Sequence, residues 1–306
     1  MEPTTPDEHD IAPPPQGGPP DSPPDAEGHA GLAVTRPPIA WMAPGMPFAR
    51  PITITVLWPD APVCVPGRAP AETEQPLSRA RAVIEIILAV PVAAVGAVVG
   101  YSVGKSFEPA DERWLRIADS MGLGLGAVLA CILLVWLGNR KISSIGLTMR
   151  QWHLDLGIGF ASLLATWVVL LAFGGVIVVL FPSVLQEQSA AQKAIEASFP
   201  KLSWQQMLAL CLCIAIYEEI VFRGFLLTRL HALVRRWWLA VVIGAVLFGL
   251  PHHYQGWWAV CGITLLGLIM GSLFAWRKSL VAPITMHLFH NFAVFMLLDL
   301  VSGMRN

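Results

Sequence analysis

Charge is scarce in this sequence. Only 13% of its 306 residues are Asp, Glu, Lys or Arg, about half the share usual in soluble domains, and the formal net charge is −1. That excludes an ordinary solvated surface and the broad basic field of a nucleic-acid-binding protein. Cysteine is sparse too: Cys64, Cys131, Cys211, Cys213 and Cys261 show no metal-ligand spacing. Four of them lie in apolar segments, so neither a disulfide framework nor a preformed cysteine zinc site is expected. The first residues lack the basic n-region and apolar h-region of a signal peptide, so nothing in them marks the tail for export. What the chain has in excess is apolar: 55% of its residues are hydrophobic, a composition that points to the bilayer.

Proline divides the chain. Residues 1–80 hold 19 of the 25 prolines, with clusters such as Pro13-Pro-Pro-Gln-Gly-Gly-Pro-Pro20 that cannot build a packed core. A disordered Pro-rich tail is expected over 1–80 and a transmembrane helical bundle over 81–306. The alternating run at 51–58 is too short to span and reads as a surface-associated segment. An apolar stretch of about 20 residues matches a hydrocarbon core of about 30 Å. Seven stretches qualify, near 82–104, 117–138, 155–181, 203–230, 237–256, 257–276 and 280–301. The expected fold is therefore all-α, a polytopic integral membrane helix bundle of about seven transmembrane helices. Gly96/Gly100/Gly104, Gly122/Gly126 and Gly267/Gly271 have the small-residue spacing that lets membrane helices approach closely. Between the third and fourth spans, 185–197 reads as a polar helix lying on the membrane surface.

With the N-terminus inside, ten Lys and Arg flank the spans on the cytoplasmic side and six on the other. The positive-inside rule thus favours a cytoplasmic N-terminus, in the plasma membrane if the source is bacterial.

Ionisable groups inside a bilayer are costly, about 2.5–3.5 kcal/mol for Asp, Lys or Arg at a helix centre, and so mark functional sites. The fourth span carries Glu218, Glu219 and Arg223, the end of the fifth carries His252 and His253, and the seventh carries His287, His290 and Asn291. Asp119, Asp155 and Asp299 sit near span ends, where hydration is cheap. Glu219 and Arg223 are i and i+4 and can pair, whereas Glu218 is turned about 100° away and is left free to take a proton. Phe248 and His252 share a face in the same way, and Pro251 should kink or end their helix. His287 and Asn291 repeat the spacing, with His290 competing for that face. Each group has a structural alternative, a polar knot or interhelical hydrogen bond. Together, a carboxylate, two histidines and an amide are what water activation within a membrane requires.

In order along the chain these residues read Glu218-Glu219-Ile-Val-Phe-Arg223, Phe248-Gly-Leu-Pro-His252 and His287-Leu-Phe-His-Asn291. The patterns EExxxR, FxxxH and HxxxN resemble the CPBP family of intramembrane proteases, the CAAX prenyl endopeptidase and bacteriocin-processing group also called Abi. The resemblance covers about 140–301, including the lead-in Ser144-Ile-Gly-Leu147. It implies an intramembrane endopeptidase, a hydrolase in which Glu218 is the general base on a water held with His252. His287 and Asn291 support that water and the oxyanion, and Glu219 and Arg223 complete the first motif. Members are often named metalloproteases, so a divalent metal such as zinc on Glu218, His252 and His287 is carried as an option, although HExxH is lacking. The implied partners are a peptide or membrane-anchored protein substrate, with prenylated ones permitted, and membrane lipid, but no nucleic acid. Two rival readings stand beside this: a transporter or channel with a Glu/His proton or cation path, and a non-catalytic immunity or scaffold protein. At 1.5 Å per residue from the cytoplasmic ends, Glu218 lies about 18 Å deep, His287 about 10 Å and His252 over 20 Å. They converge only if helices are offset or the fifth span is kinked.

Overall fold

The computed structural model describes residues 77–106, 112–186, 200 and 202–303, which are helical and contain no strand. The Pro-rich tail up to residue 76, its alternating run and most of the 185–197 segment lie outside the described residues. The elements are α1 (Arg79–Lys105), α2 (Glu112–Leu137), a 3-10 turn (Ile142–Ile145) and α3 (Trp152–Leu180). Next comes α4, an α-helical section Trp204–Glu218, a π-helical section Glu219–Leu226 and a second α section Leu227–Val234. Then follow α5 (Trp237–Gly249), which continues as a 3-10 stretch Leu250–Gln255, α6 (Trp257–Arg277) and α7 (Val281–Gly303).

Local chemistry accounts for these boundaries. Ser78 caps α1 by accepting from the Arg81 N–H. Ser203 and Gln206 form a reciprocal capping box at the start of α4, satisfying two amides that a helix end leaves orphaned. Helices α4 and α6 end on the left-handed residues Arg235 and Lys278, whose N–H groups return to His231 and Phe274 carbonyls. Helix α5 gives way to 3-10 geometry at Leu250, one residue before Pro251, because proline cannot donate to the ladder and crowds the preceding turn.

Among the described residues, six helices are long and apolar enough to cross a membrane. The remaining expected span, the fourth at 203–230, is α4, divided by its charged π section. Apolar side chains such as Leu171, Val179 and Trp136 are left exposed, the inverse of a soluble protein and suited to lipid contact. This is an integral membrane protein. Trp136, Trp152, Trp237, Trp238 and Trp276 stand at helix ends on the side where α1 begins, and Trp114, Trp204, Trp257 and Trp258 at the opposite ends. Two such belts are what the two membrane interfaces select.

Glycine sets the closest packing. Gly96 and Gly100 of α1 lie directly on Gly122, Gly126 and the Ala118 carbonyl of α2. Gly267 and Gly271 of α6 rest on Ala245 and Val241 of α5. Helix α3 packs on α7, and α4 sits among α2, α5 and α7. Within the first span, Glu85 is buried and bound by Arg81, Arg140 and Arg229, with contacts of 2.7–2.9 Å. Asp155 is not hydrated at a span end: it is 2% exposed and accepts from the Arg277 Nε at 2.7 Å.

Candidate active site

The fourth span is where an α-helix widens. From Glu219 to Leu226 the chain adopts π geometry, which occurs mostly as short bulges and often at functional sites. Two contacts seat this section. The Ile145 carbonyl lies where a Cβ on Gly224 would stand, 2.7 Å away. Gly146, at φ 81°, turns the lead-in strand of chain so that its carbonyl accepts from the Leu280 N–H at 3.0 Å. Glycine is required at Gly146 because φ is positive and the Phe274 ring fills the space a side chain would need. The Ser144–Leu147 segment thus buttresses both the first motif and the start of α7.

The two adjacent glutamates have different surroundings. Glu219 is fully buried, and its Oε1 accepts from Arg223 Nη1 at 2.9 Å and from His287 Nδ1 at 2.8 Å. The Arg223 guanidinium lies 4.0 Å over the Phe248 ring, a desolvated cation–π contact. Glu218 points the other way. Its side chain is 14% exposed, its Oε2 is 3.7 Å from His287 Nε2, and the Tyr217 hydroxyl lies 3.4 Å from its Oε1. His287 therefore joins the two carboxylates: Nδ1–H is committed to Glu219, leaving Nε2 turned towards Glu218.

His252 is oriented in a similar way, its Nδ1 lying 3.1 Å from the Phe248 carbonyl. An N–H at that atom donates to the carbonyl and leaves Nε2 as the open ring nitrogen. Phe248 is the hub of this arrangement, with ring centroids at 5.0 Å from Phe222, 5.5 Å from His252 and 6.1 Å from His287. His252 is carried on the 3-10 stretch after Gly249.

Glu218, His252, His287, His290 and Asn291 all line one cavity of about 840 Å³. Its other walls are largely apolar, from Leu170, Phe173, Leu210, Ile263, Val294 and Phe295. Glu219 and Arg223 do not line it; they stand behind His287. His253 is exposed and bonds the Leu250 carbonyl. The cavity gathers the polar groups in one place rather than stringing them across the bundle. Phe248 was signalled by its i and i+4 relation to His252, whereas nothing in the sequence singled out Tyr217, whose hydroxyl lies 3.4 Å from Glu218.

Glu218, His252 and His287 were also the possible metal ligands. Among the described residues, no three His, Cys, Asp or Glu side chains are grouped to hold a metal ion. One nitrogen of each histidine is engaged, by the Phe248 carbonyl and by Glu219, which orients both rings and leaves each Nε2 open.

Residues 200–293 match the family model described as Rce1-like, type II CAAX prenyl endopeptidase Rce1-like. That segment holds all three motifs. The chain is also 29% identical over 107 residues to the "Uncharacterized protein YpbD" of Bacillus subtilis (strain 168), a match covering 35% of this chain and 51% of that protein. The chain thus spans about half the length of that relative. No solved structure matches.

Proposed function

We propose that this chain, whose residues 200–293 match the Rce1-like model of type II CAAX prenyl endopeptidases, is an intramembrane endopeptidase that hydrolyses a peptide bond with a glutamate-activated water. The observation that carries this reading is the division of labour between the two glutamates: Glu219 is neutralised by Arg223 and His287, while Glu218 faces the cavity beside His287 Nε2.

In this mechanism Glu218 takes a proton from a water whose second hydrogen is accepted by His252 Nε2. The hydroxyl oxygen attacks the scissile carbonyl carbon, and the carbonyl electron pair moves onto oxygen. The Asn291 carboxamide donates to that oxyanion, and His287, held from behind by Glu219, keeps Glu218 and the water in register. Collapse of the tetrahedral intermediate breaks the C–N bond, and Glu218 returns its proton to the leaving amine. Glu219 and Arg223 position His287 and do not touch the reacting atoms. The apolar walls exclude bulk water and suit a hydrophobic segment: a prenylated CAAX-type peptide, a leader peptide or a membrane-anchored protein. In this reading the N-terminus is cytoplasmic, a side favoured by the distribution of Lys and Arg, and the Pro-rich residues 1–80 are an appendage to a bundle over 81–306. A bacterial source would put the protein in the plasma membrane.

The test uses the purified full chain in detergent with an internally quenched farnesylated peptide and a non-prenylated leader peptide. Wild type cleaves at least one, Glu218→Gln cleaves neither while remaining folded, and a chelator leaves the wild-type rate unchanged. Cleavage retained by Glu218→Gln overturns the mechanism. A chelator-sensitive rate restored by zinc overturns the metal-free step.

A further inference from the structure

At the end of the bundle where α1 begins lies a second cavity, about 270 Å³, that the proposed chemistry does not use. It is several times the roughly 30 Å³ that a water occupies in the liquid. Its polar lining is cationic and hydroxylic: Arg140, Arg229, His231, Lys278, Ser143 and Ser144. Arg229 is fully buried and forms the floor with Phe274, whereas Ser143 and Lys278 are exposed at the mouth. Eleven residues of α4 separate Arg229 from Glu218, about 16 Å along the helix.

Among the described residues, one carboxylate, Glu85, is shared by three guanidiniums. Arg140 holds both its oxygens at 2.7 Å, Arg229 Nε reaches Oε2 at 2.9 Å, and Arg81 Nε reaches Oε1 at 2.8 Å. The Arg229 side chain is 1% exposed and that of Arg140 13%, so water screens neither well. Lys278 stands at the rim, over the Trp237 ring. Three polar atoms of the lining, Arg140 Nε, Ser144 Oγ and Arg229 Nη2, are buried with no hydrogen bond, the last lying 2.8 Å from Glu85 Oε2 as an ion pair. A buried donor left unpaired is costly, and more so when it is charged. A cluster with excess positive charge and idle donors is completed by an anion.

The tryptophan belt identifies the depth. Trp237 lines the cavity, and Trp136, Trp152, Trp238 and Trp276 stand at neighbouring helix ends, the level of lipid headgroups. Basic pockets between transmembrane helices at that level take anionic headgroups, and a guanidinium fork matches phosphate oxygens. We infer that this cavity is a phosphate-binding site, in which Arg140, Arg229, Ser144 and Lys278 receive a phosphate oxyanion, from an anionic phospholipid headgroup or from free phosphate.

The test measures thermal unfolding of the full chain in a neutral detergent, titrated with phosphatidylglycerol in mixed micelles, with phosphatidylcholine, and with inorganic phosphate against chloride at equal ionic strength. A saturable upward shift with phosphatidylglycerol alone assigns the lipid source, and one that inorganic phosphate also produces assigns the free anion. Either supports the site. Arg140→Gln should weaken the midpoint of that titration by about tenfold or more, the loss of one charge-assisted hydrogen bond. The double variant Lys278→Asn/Ser144→Ala leaves every contact of Glu85 intact, and asparagine tolerates the left-handed backbone at 278. It should weaken the midpoint similarly. No saturable shift with either phosphatidylglycerol or phosphate, or an unchanged midpoint in the double variant, overturns the inference.

Discussion

Replacing each of the two adjacent glutamates by glutamine should separate stability from chemistry. Glu219 is fully buried and its Oε1 is shared between Arg223 and His287. Glutamine at 219 retains an acceptor oxygen but no charge, and leaves the Arg223 guanidinium, 3% exposed, supported by the Phe248 ring at 4.0 Å. That cation–π contact is worth about 2 kcal/mol when desolvated, while an unpaired buried charge costs about 3–5 kcal/mol. A loss near 3 kcal/mol is therefore expected, a fall in midpoint on the order of 10 °C for a chain of this size. Glu218 is different. Its side chain is 14% exposed and its contacts are the longer ones, 3.4 Å to Tyr217 and 3.7 Å to His287. Glutamine there should change stability by less than about 1 kcal/mol, the range of substitutions that break no buried pair. It should nevertheless remove the roughly 10²–10⁴-fold that a general base contributes. Tryptophan fluorescence during heating, in one detergent, measures both variants. Glu219→Gln/Arg223→Met is the decisive third sample: with both charges gone, most of the lost stability should return, since removing a whole buried pair is often neutral. Equal destabilisation by the two single variants, or no recovery in the double, would refute the reasoning.

Other outcomes follow from the packing. Gly122→Leu drives a side chain into the Gly96 carbonyl and the Gly100 backbone; it should cost about 1–3 kcal/mol or more in thermal unfolding, whereas Gly157→Ala, with open space around it, should be silent. Gly224→Ala must push the Ile145 carbonyl off the π section, so peptide cleavage should fall more steeply than the unfolding midpoint. Asp155→Asn removes the charge facing Arg277, whose side chain is 16% exposed; partial hydration should limit the loss to about 1–2 kcal/mol, read by the same melt. Phe248→Leu retains volume but removes the ring shared by Arg223, His252 and His287, and should lower kcat with KM little changed.

Much of the site could be read from sequence because the information is local. An i and i+4 separation puts Arg223 beside Glu219 whether the turn is α or slightly wider, and that one pairing leaves Glu218 unclaimed. Pro251 announces where α5 must stop, whatever packs against it. The glycine spacings predict close approach, though not which helix approaches. Other features had weaker signals. Glu85 lies one turn inside an otherwise apolar span, four residues after its partner Arg81, a position that marks it for attention, but its two other arginine partners are 55 and 144 residues further along. Asp155 looked hydrated because its place near a span end says nothing about the Arg277 that covers it.

The sequence alone thus determined the apolar segments, the order of the three polar motifs and the pairing of Glu219 with Arg223. All of these depend on neighbours within a turn or two and on the length of a hydrophobic run. Tertiary structure decided that His287, 68 residues from Glu219, locks onto that carboxylate and turns its other nitrogen to Glu218. It also decided that three arginines meet on one buried glutamate. Those choices depend on how far each helix is rotated and shifted against its neighbours, which glycine contacts and the 3-10 and π sections set. No periodicity along a single segment encodes them.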